Sequence, residues 1–149
     1  MSILFINGSA EHEGNTAQLA SMLLDGHAYD VVQLGDMKVY DYGQHFDDDQ
    51  FEDVLARMNA ADVLVFGSPV YWHDLSGMLR NLLDRCYGPV PEGGFAGKKI
   101  YFLFQGAAPT QEMLERGNYT MSRFAGLYGA EYMGMATNAR EARKLAQTL

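Results

Sequence analysis

Three unbroken apolar runs of strand length, Ile3 to Ile6, Val63 to Phe66 and Ile100 to Phe104, alternate along the chain with segments whose apolar residues recur every three or four positions. A run with no polar break suits a parallel strand covered by helices on both faces, so these three are expected at the centre of a sheet. Tyr29 to Leu34 and Glu131 to Met135 mix polar and small residues into the run and read as its edges. Leu19, Ala20, Leu23 and Leu24 form the stripe of a first helix, with Asn15 or Thr16 as its cap and Gly26 as its stop. Phe51, Val54, Leu55 and Met58 mark a second, preceded by Asp47, Asp48 and Asp49 where caps and dipole partners belong. Leu75, Met78, Leu79, Leu82, Leu83 and Cys86 mark a third. Thr110 opens a fourth, which Gly117 is expected to kink before Met121, Phe124, Ala125 and Tyr128 resume an apolar face; Asn138 caps a short last helix ending near Leu149.

This alternation predicts one α/β domain over residues 1–149, a parallel sheet between two helix layers. Ligands of such sheets bind past the carboxyl ends of the strands where the strand order reverses; in order 2-1-3-4-5 that point lies between strands one and three. The strand one to helix turn holds Asn7-Gly8-Ser9-Ala10-Glu11-His12-Glu13-Gly14-Asn15-Thr16. Its glycines let backbone N–H groups turn inward, Ser9 and Thr16 offer hydroxyls, and the helix start adds a positive end, as a phosphate would require. An ordinary turn with an asparagine cap has the same composition. Neither a Gly-x-Gly-x-x-Gly fingerprint nor a Gly-Lys-Ser/Thr loop is present. The third strand leads into Gly67-Ser68-Pro69-Val70-Tyr71-Trp72-His73, where Tyr71 and Trp72 could face a planar ring or cover the sheet end or a subunit contact.

The remaining chemistry is mostly excluded. Cys86 is the only cysteine and continues a helical apolar stripe, so a cysteine-held metal cluster and a Cys-x5-Arg phosphatase are both ruled out within one chain. The third strand ends in Phe66-Gly67 and offers no phosphoacceptor aspartate. His45 with Asp47, Asp48 and Asp49 reads as helix capping, and no metal is assigned; His73 reads as a solvated loop residue. A net charge of −8 disfavours nucleic acid. No stretch approaches the roughly 20 apolar residues that span a bilayer, and Met1-Ser2-Ile3 has no basic region before its apolar run, so a cytoplasmic protein is expected.

The pairing of Gly8-Ser9 and Gly14-Asn15-Thr16 with Gly67-Ser68-Pro69-Val70-Tyr71-Trp72 resembles the flavodoxin-like NAD(P)H-dependent FMN reductase family, and Ser76-Gly77, Arg80 and Asp84-Arg85 extend the likeness. The resemblance implies a three-layer flavodoxin-like sandwich with a five-stranded parallel sheet in order 2-1-3-4-5. It implies that Ser9, Gly14, Asn15 and Thr16 hold the FMN phosphate, that Pro69, Val70, Tyr71 and Trp72 line the isoalloxazine, and that Gln105, Gly106 and Ala107 close its far side. The implied activity passes a hydride from NADH or NADPH through FMN to a quinone, a flavin or a similar small acceptor, with no catalytic acid, base or nucleophile from the protein. A homodimer or homotetramer is the implied assembly. The chain departs from the family with Glu11 where an arginine is common, and with Tyr40, Asp41 and Tyr42 where many relatives carry cysteines. A flavodoxin-type electron carrier fits the acidity equally, and a sheet without cofactor that serves as an interaction module fits Glu11.

Overall fold

In the computed structural model, which describes residues 1–149, the first strand β1 (Ile3–Asn7) is flanked by β2 (Asp30–Gln33) and β3 (Val63–Tyr71). Beyond β3 lie β5 (Lys99–Gln105) and β6 (Glu131–Ala136). All four pairings are parallel and the order is β2-β1-β3-β5-β6, with the two-residue β4 (Asp74–Leu75) attached antiparallel to the end of β3. Setting that short hairpin aside, this is the expected order 2-1-3-4-5, with the two mixed-polarity strands at the edges.

Alternate residues of each central strand feed two separate cores, which is why no polar residue interrupts them. Leu4, Ile6, Leu64, Phe66, Ile100, Phe102 and Phe104 pack under α2 (Phe51–Ala60), α3 (Gly77–Cys86) and α4 (Gln111–Leu127). Ile3, Phe5, Val63, Val65, Tyr101 and Leu103 pack under α1 (Asn15–Leu23) and α5 (Ala139–Ala146). Each fully buried large side chain contributes about 1.5–3 kcal/mol, so the central strands are the main source of cohesion.

Several local expectations are corrected. Strand β3 does not end at Phe66. Gly67, Ser68 and Pro69 stay in register with Leu103, Phe104 and Gln105 of β5, and Pro69 forfeits no bond to β1 because that strand has already ended at Asn7 opposite Gly67. The reversal is a two-residue turn, Trp72-His73, with φ of 46° and 70°. Both residues occupy the left-handed region that such turns require and that Asn-Gly normally supplies. Leu75 therefore belongs to β4, and Ser76 caps α3 by accepting from the Leu79 N–H at 3.2 Å.

Gly117 does not kink α4, which is continuous over 17 residues. A Cβ on Gly117 would sit 2.3 Å from Cε2 of Phe104, so the glycine is there for close packing of helix on strand. Thr110 and Asn138 cap α4 and α5 as expected, accepting from Met113 N and Glu141 N at 3.2 Å and 3.0 Å. None of the three aspartates is the N-cap of α2, which is Gln50; Asp49, just before it, accepts from Phe51 N at 2.8 Å, while Asp48 instead binds Lys38 and Tyr40. Arg85 on α3 clamps the loop between β2 and α2: it pairs with Asp49, donates to the Tyr40 carbonyl, and lies over the Phe51 ring.

Burial pushes the Cys86 thiol up to about 12, far above neutrality, so the reactive thiolate is scarce. A disulfide reagent at neutral pH is expected to label Cys86 only as the chain unfolds; rapid labelling of native protein would contradict its placement in the core.

Candidate functional site

The carboxyl ends of β1, β3 and β5 converge through direct contacts. Gly8 N donates to the Gly67 carbonyl at 2.8 Å, which fastens the first turn to the middle of β3. Gly67 has no room for a side chain: a Cβ there would lie 2.6 Å from Thr16 Cγ2 and 2.8 Å from the Phe5 ring. Gln105 Nε2 donates to Thr16 Oγ1 at 3.3 Å. A Cβ on Gly106 would come within 3.1 Å of Val70 Cβ. The three segments singled out from sequence therefore meet at the crossing between β1 and β3.

The first turn is stiffened from within by Asn7. Its Oδ1 accepts from Ser9 N at 3.1 Å, and its Nδ2 donates to the Glu11 carbonyl at 3.1 Å and to Gln33 Oε1 at 2.8 Å. Ser9 Oγ in turn accepts from Glu11 N at 3.1 Å. Gly14, not Asn15 or Thr16, is the N-cap of α1 and makes no side-chain cap bond. The expected asparagine or threonine cap is thus corrected: Asn15 is exposed on the first turn, and Thr16 is fully buried behind it.

This arrangement suits an anion. The N–H groups of Asn15, Thr16 and Ala17 find no protein acceptor. The buried hydroxyls of Ser9 and Thr16 are engaged only as acceptors, each with its proton left to donate. Helix N-terminus, free amides and spare hydroxyl protons together make the donor set that a phosphate needs. No cation assists. Glu11 and Glu13 are exposed, His12 is tied to Asp36 at 2.9 Å, and the first lysine or arginine of the chain is Lys38.

The aromatic side is more open than expected. Pro69 is buried, Val70 half-buried and Tyr71 exposed, while Trp72 stands at the hairpin tip with 95% of its surface in solvent. Arg116 of α4 steadies that tip by donating to the His73 carbonyl at 3.0 Å. Beside it opens a hollow of about 650 Å³ lined by Asp74, Leu75, Arg80, Arg116 and Tyr119 among others, on the α3–α4 side. Gln105 and Gly106 are half-buried and Ala107 exposed. Sequence reasoning placed Asn7, Ser68 and Ser76 in the motifs but gave them no structural role; Ser68 Oγ accepts from Ser76 N at 2.9 Å and so ties β3 to the start of α3. Asn7 was findable, because it is a fully buried polar residue closing an apolar run.

Trp72 is the only tryptophan, so its emission reports the site directly. It is expected to emit as a hydrated indole and to be quenched when a flavin binds. A spectrum unchanged at saturating flavin would place the indole outside the contact.

The family described as "NADPH-dependent FMN reductase" matches residues 1–136. A Bacillus subtilis protein with the provisional name NAD(P)H-dependent FMN-containing oxidoreductase YwqN is 28% identical over 93 residues, which are 57% of this chain and 51% of that protein. An iron-sulfur flavoprotein of Archaeoglobus fulgidus is 30% identical over 98 residues, 57% of this chain and 48% of that protein. The chain thus matches about half the length of these curated relatives. Among solved structures, the Trp repressor binding protein of Bacillus subtilis is similar over 99% of both chains, with a TM-score of 0.79 at 19% identity. The NAD(P)H:quinone oxidoreductase of Methanothermobacter marburgensis has a TM-score of 0.71 at 18% identity, over 99% of this chain and 95% of that one. These structures show the flavodoxin-like fold.

Proposed function

The chain belongs to the NADPH-dependent FMN reductase family, and from that premise we propose that it binds FMN at the β1–β3 crossing and oxidises NADH or NADPH at the expense of a small acceptor such as a quinone or a second flavin. The observation that carries this reading is the donor set of the first turn, where two buried hydroxyl protons and the first-turn amides of α1 lack protein acceptors. Bound FMN would supply the redox chemistry, taking a hydride from the nicotinamide and passing reducing equivalents on. The protein's share is binding and orientation. Ser9, Thr16 and the amides of Asn15 and Thr16 would hold the phosphate, with Gly14 allowing the turn to close, since a Cβ there would lie 2.8 Å from Glu11 Cβ. Pro69 and Val70 would form a rigid wall for the ring because they are held in the sheet, and Gly106 and Ala107 would present backbone to its other edge. Tyr71 and Trp72 would cover the exposed ring face from the hairpin tip. In this proposal no side chain acts as acid, base or nucleophile.

Because the turn carries no lysine or arginine, the phosphate would be held there by backbone amides, the two hydroxyls and the positive end of α1. The homodimer or homotetramer belongs to the same proposal; exposed Tyr42, Tyr87, Tyr119 and Leu127 on the α3–α4 side would give it an apolar contact surface. The test is steady-state oxidation of NADH and NADPH by FMN-loaded protein with a quinone or flavin acceptor. Turnover with parallel reciprocal plots, the signature of one shared ring face, supports the reductase. FMN binding without nicotinamide oxidation by any acceptor would overturn it in favour of the carrier, for which the net charge of −8 would steer basic partners.

A further inference from the structure

We propose that Gln105 is a positioning residue for the phosphate of the flavin, acting through Thr16 and not on the ring; this rests on the reading that the first turn takes that phosphate. The geometry is specific. Thr16 is 0% exposed, and its methyl group lies beside Gly67, where a Cβ would come within 2.6 Å of it. Its oxygen then faces the end of β5, where Gln105 Nε2 donates to it at 3.3 Å. A hydroxyl has one proton. With its oxygen occupied by an incoming N–H, that proton is directed away from Gln105, toward the free amides of the α1 first turn where an anion would sit. Without Gln105 the buried hydroxyl could rotate, and part of the binding free energy would go to orienting it.

Glutamine is suited to this in a way its neighbours in shape are not. Methionine fills similar space without donating. Glutamate can only accept when ionised, so it would draw the Thr16 proton toward itself and add negative charge to a turn that already carries Glu11 and Glu13 and no cation. The role also differs from lining the far side of the ring, because a ring contact would serve FMN and riboflavin alike.

The experiment is fluorescence titration of the purified protein with FMN and with riboflavin, which carries the same ring and no phosphate. The variants are Gln105→Met, Gln105→Glu, Thr16→Val and the double variant Thr16→Val/Gln105→Met. Gln105→Met is expected to weaken FMN about five- to tenfold, the loss typical of one neutral hydrogen bond, and to leave riboflavin within about twofold. Gln105→Glu should weaken FMN further, again sparing riboflavin. The double variant should bind FMN no worse than Thr16→Val alone, since the two residues act as one unit. Equal losses for both flavins in Gln105→Met, or losses that simply multiply in the double variant, would overturn the proposal. Wild-type protein that binds FMN and riboflavin equally would remove the phosphate reading beneath it, a result distinct from either. Should Thr16→Val fail to fold, the contrast between Gln105→Met and Gln105→Glu across the two ligands decides the matter alone.

Discussion

Replacing Gly117 with alanine is expected to destabilise the protein by about 1–3 kcal/mol, the usual range for overpacking a core. Propensity alone points the other way, since alanine is better than glycine in a helix interior by about 1 kcal/mol. Packing decides the sign. The new Cβ would meet Cε2 and Cδ2 of Phe104 at 2.3 and 2.5 Å, well inside any tolerated contact. Phe104 cannot step aside cheaply, because it is fully buried in β5 and its ring stacks on Phe102 at 5.1 Å between centroids. Urea unfolding followed by circular dichroism checks this, with a lower midpoint and an unchanged slope expected. A midpoint at or above wild type would show that the ring yields and that the helix preference wins.

The second large effect is expected at the crossing itself, where Gly67→Ala should weaken FMN binding at least about tenfold, on the scale of losing charge-assisted hydrogen bonds to the phosphate. A methyl there lands 2.6 Å from Thr16 Cγ2 on one side and 2.8 Å from the Phe5 ring on the other. Phe5 is locked in the second core between α1 and the sheet, so the displacement falls on Thr16 and with it on the start of α1. The prediction carries its own control. Thr16→Ser removes the clashing methyl but keeps the hydroxyl, so the Gly67→Ala/Thr16→Ser protein should regain much of the lost affinity. A double variant no better than Gly67→Ala would mean that the methyl acts through Phe5 and the sheet, not through the phosphate turn.

The sheet was legible in the sequence because burial on both faces writes itself as unbroken apolar runs, and its parallel sense followed from alternation with helices, while the strand order came from the family resemblance. Edge strands were equally readable from their polar admixture. What escaped depends on partners distant in the chain. Gly67, Ser68 and Pro69 are poor strand formers and read as a loop; they remain in β3 because β5 continues beside them as far as Gln105. The Trp72-His73 turn gave little signal, since it lacks the Asn-Gly pair usual in such turns and tryptophan does not favour the left-handed backbone that both residues adopt. Gly117 looked like a helix breaker, and only the ring of Phe104 explains it. Thr16 looked like a cap and proved to be a buried post joined to a residue 89 positions away.

The segments singled out in the sequence do lie together, while the roles given to their residues rest on the proposed FMN site. Ser9 and Thr16 each keep a hydroxyl proton to donate, and Gly106 does abut Val70. Trp72 is on the expected segment, and it stands at the hairpin tip with its indole almost wholly in solvent, open to a ring but packed against nothing. Arg85, noted as part of a family-like Asp-Arg pair, holds the loop before α2 in place and makes no contact with the crossing. The relative named as an iron-sulfur flavoprotein does not imply a cluster here, because Cys86 is alone and buried in α3.

The central claim is that a phosphate turn without a cation and an aromatic hairpin together form one FMN site. It is tested most directly by titrating the protein with FMN while recording Trp72 and flavin fluorescence. Saturable quenching of both at one flavin per chain, with FMN binding more tightly than riboflavin, is the predicted result. Tryptophan emission that stays constant together with flavin emission that follows free dye would contradict it.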